Sequence, residues 1–284
     1  MATLRFMSNN QWKCDDNKPA WEEKGMDCSS QVRMRGFARM LQETQPDIVG
    51  LQEVSFAMGD RLIRYSQDLG MQYTLLWGRD TPIIYRADKF ELVDAAFHLY
   101  STEVPGLEGS FNNSRTKSYC IGVFRVKENG KMIVFGTTHL WWKNENPNNV
   151  GKPHYQLGSN AARVHQIGLF MDHVEAMQAK YGCPAIIMGD MNSNYHSDPI
   201  QAALARGFVH AHEMATEYAD AGNGHHHCGN DGFSPYEPRA WDLAIDHILL
   251  KNAPEGCVKR YDRFTEEYYM PLSDHLPVWV DVEY

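Results

Sequence analysis

Five apolar stretches of this chain run into, or enclose, a group that an apolar interior rejects. Residues 46–53 (PDIVGLQE) end in the carboxylate of Glu53, and residues 135–140 (FGTTHL) carry the imidazole of His139. Residues 185–192 (AIIMGDMN) finish in Asp190 and Asn192, two positions apart and so on one side of an extended strand. Residues 244–248 (AIDHI) enclose Asp246, and residues 273–278 (SDHLPV) place Asp274 and His275 just before a final apolar run. A charge in such a setting costs on the order of several kcal/mol unless it is paired or metal-bound. Five together require a fold whose strand ends meet in one polar cleft.

The runs at 4–8, 48–51, 83–85, 133–136, 185–188, 243–250 and 276–282 are short and rich in Val and Ile, which predicts buried strands. Between them, Met34, Phe37, Ala38 and Leu41 share one helical face. Ala161, Val164, Ile167, Gly168, Met171 and Val174 share another, and Pro199 opens a third helix that Gly207 ends. This alternation predicts an α/β or α+β sandwich. Residues 119–126 and 132–136, joined by Glu128-Asn129-Gly130-Lys131, read as a hairpin, so part of the sheet is antiparallel. Polar stretches at 13–30, 143–160 and 218–240 read as long loops of the kind that carry function. No linker or repeat divides the chain, and residues 1–284 are expected to form one domain and a monomer.

Charge bears on the partners. A formal net charge of −9 argues against long duplex DNA, whose binders usually present a basic stripe. No apolar run nears the roughly 18 residues a membrane span needs. The opening Met1-Ala2-Thr3-Leu4-Arg5 leads into a strand and shows no signal peptide. The expected location is cytoplasmic for a full-length chain, and secreted or periplasmic if a signal was trimmed. Six cysteines in 284 residues make no disulfide scaffold, so free thiols are expected, although Cys14 and Cys28 could pair in an exported protein.

Taken in order, Met7-Ser8-Asn9-Asn10, Gln52-Glu53-Val54, Thr138-His139-Leu140, Gly189-Asp190-Met191-Asn192, Ile245-Asp246-His247-Ile248 and Ser273-Asp274-His275-Leu276-Pro277 resemble the motif series of the endonuclease/exonuclease/phosphatase family. That family includes DNase I-like nucleases, apurinic endonucleases, sphingomyelinases and inositol polyphosphate phosphatases. Two departures stand out: Asn9 and Gln11 flank Asn10 where the family has apolar residues, and Met191 replaces its usual Phe. The resemblance implies a four-layer α/β sandwich, with two mixed, largely antiparallel sheets flanked by helices. It also implies a Mg²⁺-dependent attack of water on a phosphate ester, with Mn²⁺ as a substitute. Glu53 is then the first metal ligand, with Asn10 beside it and Asp274 as an extra ligand. Asp190 orients and deprotonates the water, and Asn192 holds it or a phosphate oxygen. His139 and His275 donate to the phosphoryl oxygens, and Asp246 fixes the His275 ring.

Weaker signals surround this set. Trp141 and Trp142 follow His139 and offer stacking faces for substrate, while Arg86, Arg115 and Lys143 offer charge to a phosphate. His225-His226-His227-Cys228 holds zinc-type donors, but consecutive residues rarely face one ion, so a substrate-facing loop is the stronger expectation. Three functions stay open from sequence: a phosphodiesterase or phosphatase, a nuclease acting on short or single-stranded nucleic acid, and a phosphoester-binding module that lacks catalysis. The identity of the phosphate-ester substrate is not legible.

Overall fold

The computed structural model describes residues 2–218, 226–227, 237–238 and 241–284. Its strands are β1 (Thr3–Asn10), β2 (Ile48–Gln52), β3 (Tyr73–Leu76), β4 (Ile83–Arg86), β5 (Phe90–Leu99), β6 (Ser118–Val126), β7 (Met132–His139), β8 (Ala185–Asp190), β9 (Val209–His210), β10 (Glu217–Tyr218), β11 (His226–His227), β12 (Glu237–Pro238), β13 (Asp246–Lys251), β14 (Val258–Arg263) and β15 (Val278–Glu283). The helices are α1 (Pro19–Glu22), α2 (Ser30–Thr44), α3 (Phe56–Asp68), α4 (Ser159–Tyr181), α5 (Asp198–Ala205) and α6 (Ala211–Met214). None of them is long and apolar enough to cross a membrane.

Two mixed sheets face each other, with strand orders β10-β14-β15-β1-β2-β4-β3 and β5-β6-β7-β8-β13-β9. The two-residue period of the strands sorts their side chains between layers. Phe6, Ile48, Phe135, Ile186 and Met188 point inward to a core shared by both sheets. Met7, Val49 and Leu51 point outward beneath α2 and α3. On the other sheet, Ala185 and Ile187 point outward beneath α4 and α5. The result is four layers: helices, sheet, sheet, helices.

Register carries the chemistry to one rim. His139 on β7 lies beside Asp190 on β8, and Asp190 lies opposite Asp246 on β13. In the other sheet β1 and β2 run parallel and finish together at Asn10 and Gln52, while β15 begins opposite Ser8. Residues just before β15 therefore sit at the same rim as the ends of β1 and β2. Two glycines allow close approach there, Gly50 between the sheets and Gly189 between neighbouring strands of one sheet. A side chain at Gly50 would start 2.7 Å from Thr137 Cβ. One at Gly189, whose φ is +143°, would start 1.9 Å from the Thr138 carbonyl oxygen. Beside Gly50, Gln52 Nε2 donates across to Thr137 Oγ1 at 2.8 Å.

The 118–139 hairpin forms as expected, with Gly130 in a left-handed turn at φ +74°. The structure shifts other expectations. Residues 243–250 do not form one strand: a 3₁₀ turn at Trp241–Leu243 precedes β13, which starts only at Asp246. On α4 Ile167, Met171 and Val174 are buried as expected, but Ala161 is exposed, Val164 and Gly168 are half-buried, and Ala162, Arg163, Gln166 and Phe170 join the buried face. Arg163 donates to the carbonyls of Trp141 and Lys143, and Gln166 to that of Phe111, so polar residues occupy a face that hydrophobicity alone assigns elsewhere. The 13–30 segment contains α1, and α2 begins at its last residue. Most of 218–240, including His225 and Cys228 of the histidine–cysteine cluster, lies outside the described residues, while His226 and His227 form β11. The five described cysteines are free, with the Cys14 and Cys28 sulfurs 3.9 Å apart.

Candidate active site

Asp190, the last residue of β8, is the hub. Its Oδ2 accepts from Asn10 Nδ2 at 3.0 Å and lies 3.2 Å from His139 Nε2 and 3.8 Å from His275 Nε2. Its Oδ1 accepts from the backbone N–H of Asn192 at 2.9 Å. Burial opposes ionisation here, yet His139, His275 and Lys117 hold Asp190 far below the usual carboxylate range. Asn192 does not continue the strand. It turns into the left-handed region at φ +48° and donates Nδ2 to the Leu140 carbonyl at 3.1 Å. The sequence expectation that Asp190 and Asn192 share one strand face is thus replaced by a turn that the Asp190 carboxylate caps.

Behind the hub, His275 Nδ1 and Asp246 Oδ2 are 2.7 Å apart. Burial lowers the imidazolium's stability, but Asp246 and Asp190 outweigh it and raise the His275 pKa well above the ordinary value. Asp246 itself is pushed up by burial, with Asp190 adding to the effect through its like charge. The pair therefore keeps its proton next to Asp190. Ser273 fastens this loop to the end of β1 by donating to the Asn10 carbonyl at 2.7 Å and accepting the His275 N–H at 3.1 Å.

Glu53 leaves β2 in the left-handed region, φ +57°, which swings its carboxylate over the rim. Oε2 accepts from the Lys13 N–H at 3.2 Å, and Oε1 stands 3.9 Å from His139 Nε2. Burial alone would raise its pKa, but His139, Lys117 and His275 hold it below the ordinary value. Asp274 lies on the same side, pushed up to about 6 by burial, with the charges of Glu53 and Asp190 adding to the rise and His275 opposing it.

Two groups escaped the sequence reading. Lys117 is buried at the start of β6, with Nζ 2.5 Å from His139 Nε2. Burial lowers its pKa, while Glu53, Asp190 and Asp80 favour the charged form. Arg33 on α2 is buried and donates to the carbonyls of Gln11, Trp12, Cys14, Cys28 and Leu272, pinning the segment that carries the Lys13 N–H to Glu53. The Arg-Thr-Lys tripeptide before the hairpin was a possible signal for Lys117; nothing local marks Arg33.

Of the substrate-facing candidates, Trp142 is 42% exposed and lines a pocket with Glu53 and His139. Arg115 is exposed between Ser114 and Thr116, which line the same pocket. Trp141 is not a stacking face. It is fully buried against Phe111 and Ala162, because its N–H and carbonyl are held by Gln166 and Arg163 beneath the loop. Arg86 lies at the far end of the sheet, where its N–H donates to the Asp47 carbonyl, and its guanidinium is paired with Asp88. The structure brings together Asn10, Glu53, His139, Asp190, Asn192, Asp246, Asp274 and His275, and leaves Arg86 and Trp141 out.

Two facing mixed sheets with an acid–histidine centre on their shared rim define the DNase I-like class of α/β sandwich. The sequence profile of the Endonuclease/Exonuclease/phosphatase family matches residues 27–275, and the chain belongs to that family. A family protein of Bacteroides thetaiotaomicron superposes with a TM-score of 0.73 at 22% identity, over 99% of this chain and 95% of that one. The mannosyl-6-phosphatase of the same organism gives 0.72 at 23%, over 99% and 100%. The human Nocturnin catalytic domain with bound sulfate gives 0.61 at 17%, over 99% and 94%. At these identities the likeness establishes the fold. No curated protein matches the chain.

Proposed function

We propose that the protein is a metal-dependent phosphoester hydrolase using Mg²⁺, with Mn²⁺ able to replace it. One observation carries this reading: Glu53, His139 and Asp190 bring ligand atoms within 4.8 Å of one another, and Asp190, Asp246 and His275 form a second such group that shares Asp190. The donor set suits a hard cation. The charge of Glu53 adds to the cost of ionising the Asp274 carboxyl, a cost that a divalent ion would relieve. Glu53 and Asp274 would hold the ion, with Asn10 beside them. When bound, it would neutralise charge on the phosphoryl oxygens.

The chain's own residues supply the rest. Asp190 orients the attacking water and takes its proton. The cations that depress Asp190 are those a phosphoryl group would engage, so an arriving anion makes Asp190 a better base. His139 and His275 donate toward the developing charge, and Asp246 holds the His275 ring in place. Asn10 fixes the Asp190 carboxylate and Asn192 its turn.

The test is a hydrolysis screen with Mg²⁺ over a phosphate monoester, bis-p-nitrophenyl phosphate, single- and double-stranded nucleic acid and phospholipid. Turnover of at least one class, abolished by chelator, supports the reading. Tight binding of phosphate esters with no turnover would make the protein a binding module instead.

A further inference from the structure

Beside the metal-side carboxylate is a pocket of about 280 Å³ whose walls the hydrolytic roles above do not use. Its floor is Glu53, His139 and Lys117, where a phosphoryl group would sit. Its walls are the Lys13–Asp80 ion pair at 2.8 Å, the hydroxyls of Ser114 and Thr116, and the exposed ring of Trp142. We propose that this pocket receives the leaving group, and that the leaving group is a neutral polyol, so that the substrate is a sugar monophosphate or a close equivalent. The inference rests on the hydrolase reading and adds the substrate class.

Three properties of the walls point to that class. The volume is just under the roughly 300 to 1,000 Å³ typical of small-ligand sites and holds on the order of ten waters, which suits one small phosphorylated ligand and excludes a bulky one. The wall charge is already balanced, because Asp80 spends its charge on Lys13. Among the residues lining the walls, a second phosphate, as in an oligonucleotide or a bisphosphate, would meet no cation but Lys13, already paired with Asp80. The remaining groups are hydroxyls and a carboxylate able to exchange hydrogen bonds with hydroxyls, against a single aromatic face. Among the residues lining the pocket Trp142 alone is apolar, one flat face for the C–H side of a ring. A nucleobase or an acyl chain would leave most of its apolar surface against polar groups. Hydrolysis would add water across the phosphorus–oxygen bond: the phosphoryl group leaves as inorganic phosphate, and the polyol departs with its oxygen and a proton.

The experiment compares phosphate release from hexose 6-phosphates, nucleoside monophosphates and methyl phosphate, which has nothing to fill the pocket. We expect kcat/KM on a hexose phosphate to exceed that on the other two at least tenfold. Trp142→Ala and Asp80→Asn should each shrink that preference at least fivefold, chiefly through KM, since wall contacts serve ground and transition states alike. Trp142 is exposed, so its variant tests the pocket without challenging the fold. Hydrolysis of methyl phosphate with no preference for the sugar, a preference for nucleotides, or equal losses on all substrates would overturn the inference and leave the hydrolase reading standing. If no phosphate ester of any class were hydrolysed with Mg²⁺ present, both would fall.

Discussion

Asp190 is held by Asn10, Asn192, His139 and His275, and the two kinds of contact differ in consequence. Asn10 and Asn192 fix the position of the carboxylate, while the histidines set its charge. Replacing Asp190 by Asn keeps the shape and removes the base, and His275→Ala removes a donor. Each should lower kcat at least about a hundredfold, the usual scale for losing such a group, with the circular dichroism spectrum unchanged. Near-normal turnover by either variant would remove that residue from the mechanism. Asp274 carries a pH signature. Its raised pKa, about 6, means that the metal-free carboxyl is protonated below that pH and cannot ligate a cation. Mg²⁺ affinity should be flat above pH 6 and weaken by up to about tenfold per unit below it, as binding must displace one proton. Mg²⁺ titrations at pH 5, 6 and 7 check this. An affinity independent of pH across the range, or unchanged by Asp274→Asn, would exclude Asp274 as a ligand.

At the scale of elements, strand ends do the positioning, and that is why so much of the site is readable from sequence. An apolar run that stops at Glu53, His139 or Asp190, or encloses Asp246, announces both a buried strand and the polar group it carries. What the runs do not announce depends on partners distant in the chain. Lys117 is buried because Glu53 and Asp190 arrive from other strands, and Arg33 because five loop carbonyls converge on it. Strand β5 has mostly part-exposed or exposed residues along an edge, and β14 is charged, so neither shows the pattern of a buried strand. Arg86 shows the converse error: a basic residue in a strand looks available until its pairing with Asp88 is seen. The close approach of β7 and β8 also makes a prediction. Gly189→Ala would put a methyl group 1.9 Å from a backbone oxygen at a φ of +143°. We expect a loss of about 3 kcal/mol or more in denaturant unfolding, or failure to fold, since backbone cannot yield as a side-chain tip can. Wild-type stability in that variant would mean that the two strands do not meet as described.

Across the whole molecule, two sheets bring groups from residue 10 to residue 275 onto one rim, and this long-range closure is what the order of the motifs reflects. The net charge of −9 works against association of the whole molecule with a polyanion. Long duplex DNA should therefore bind weakly, with Kd no tighter than the roughly 10⁻⁴ to 10⁻⁶ M of non-specific association at physiological salt. A filter or anisotropy titration giving nanomolar binding would contradict this. The central claim is that a carboxylate-held metal and Asp190 together hydrolyse a phosphate ester. Its most direct test is phosphate or nitrophenol release by the wild type and Glu53→Gln across a Mg²⁺ titration that starts from chelator-treated protein. Turnover should be absent without metal and recover with Mg²⁺ or Mn²⁺, and the Glu53→Gln curve should be displaced to much higher metal concentration. Full activity in the presence of chelator, or a Glu53→Gln curve superimposable on the wild type, would contradict the claim.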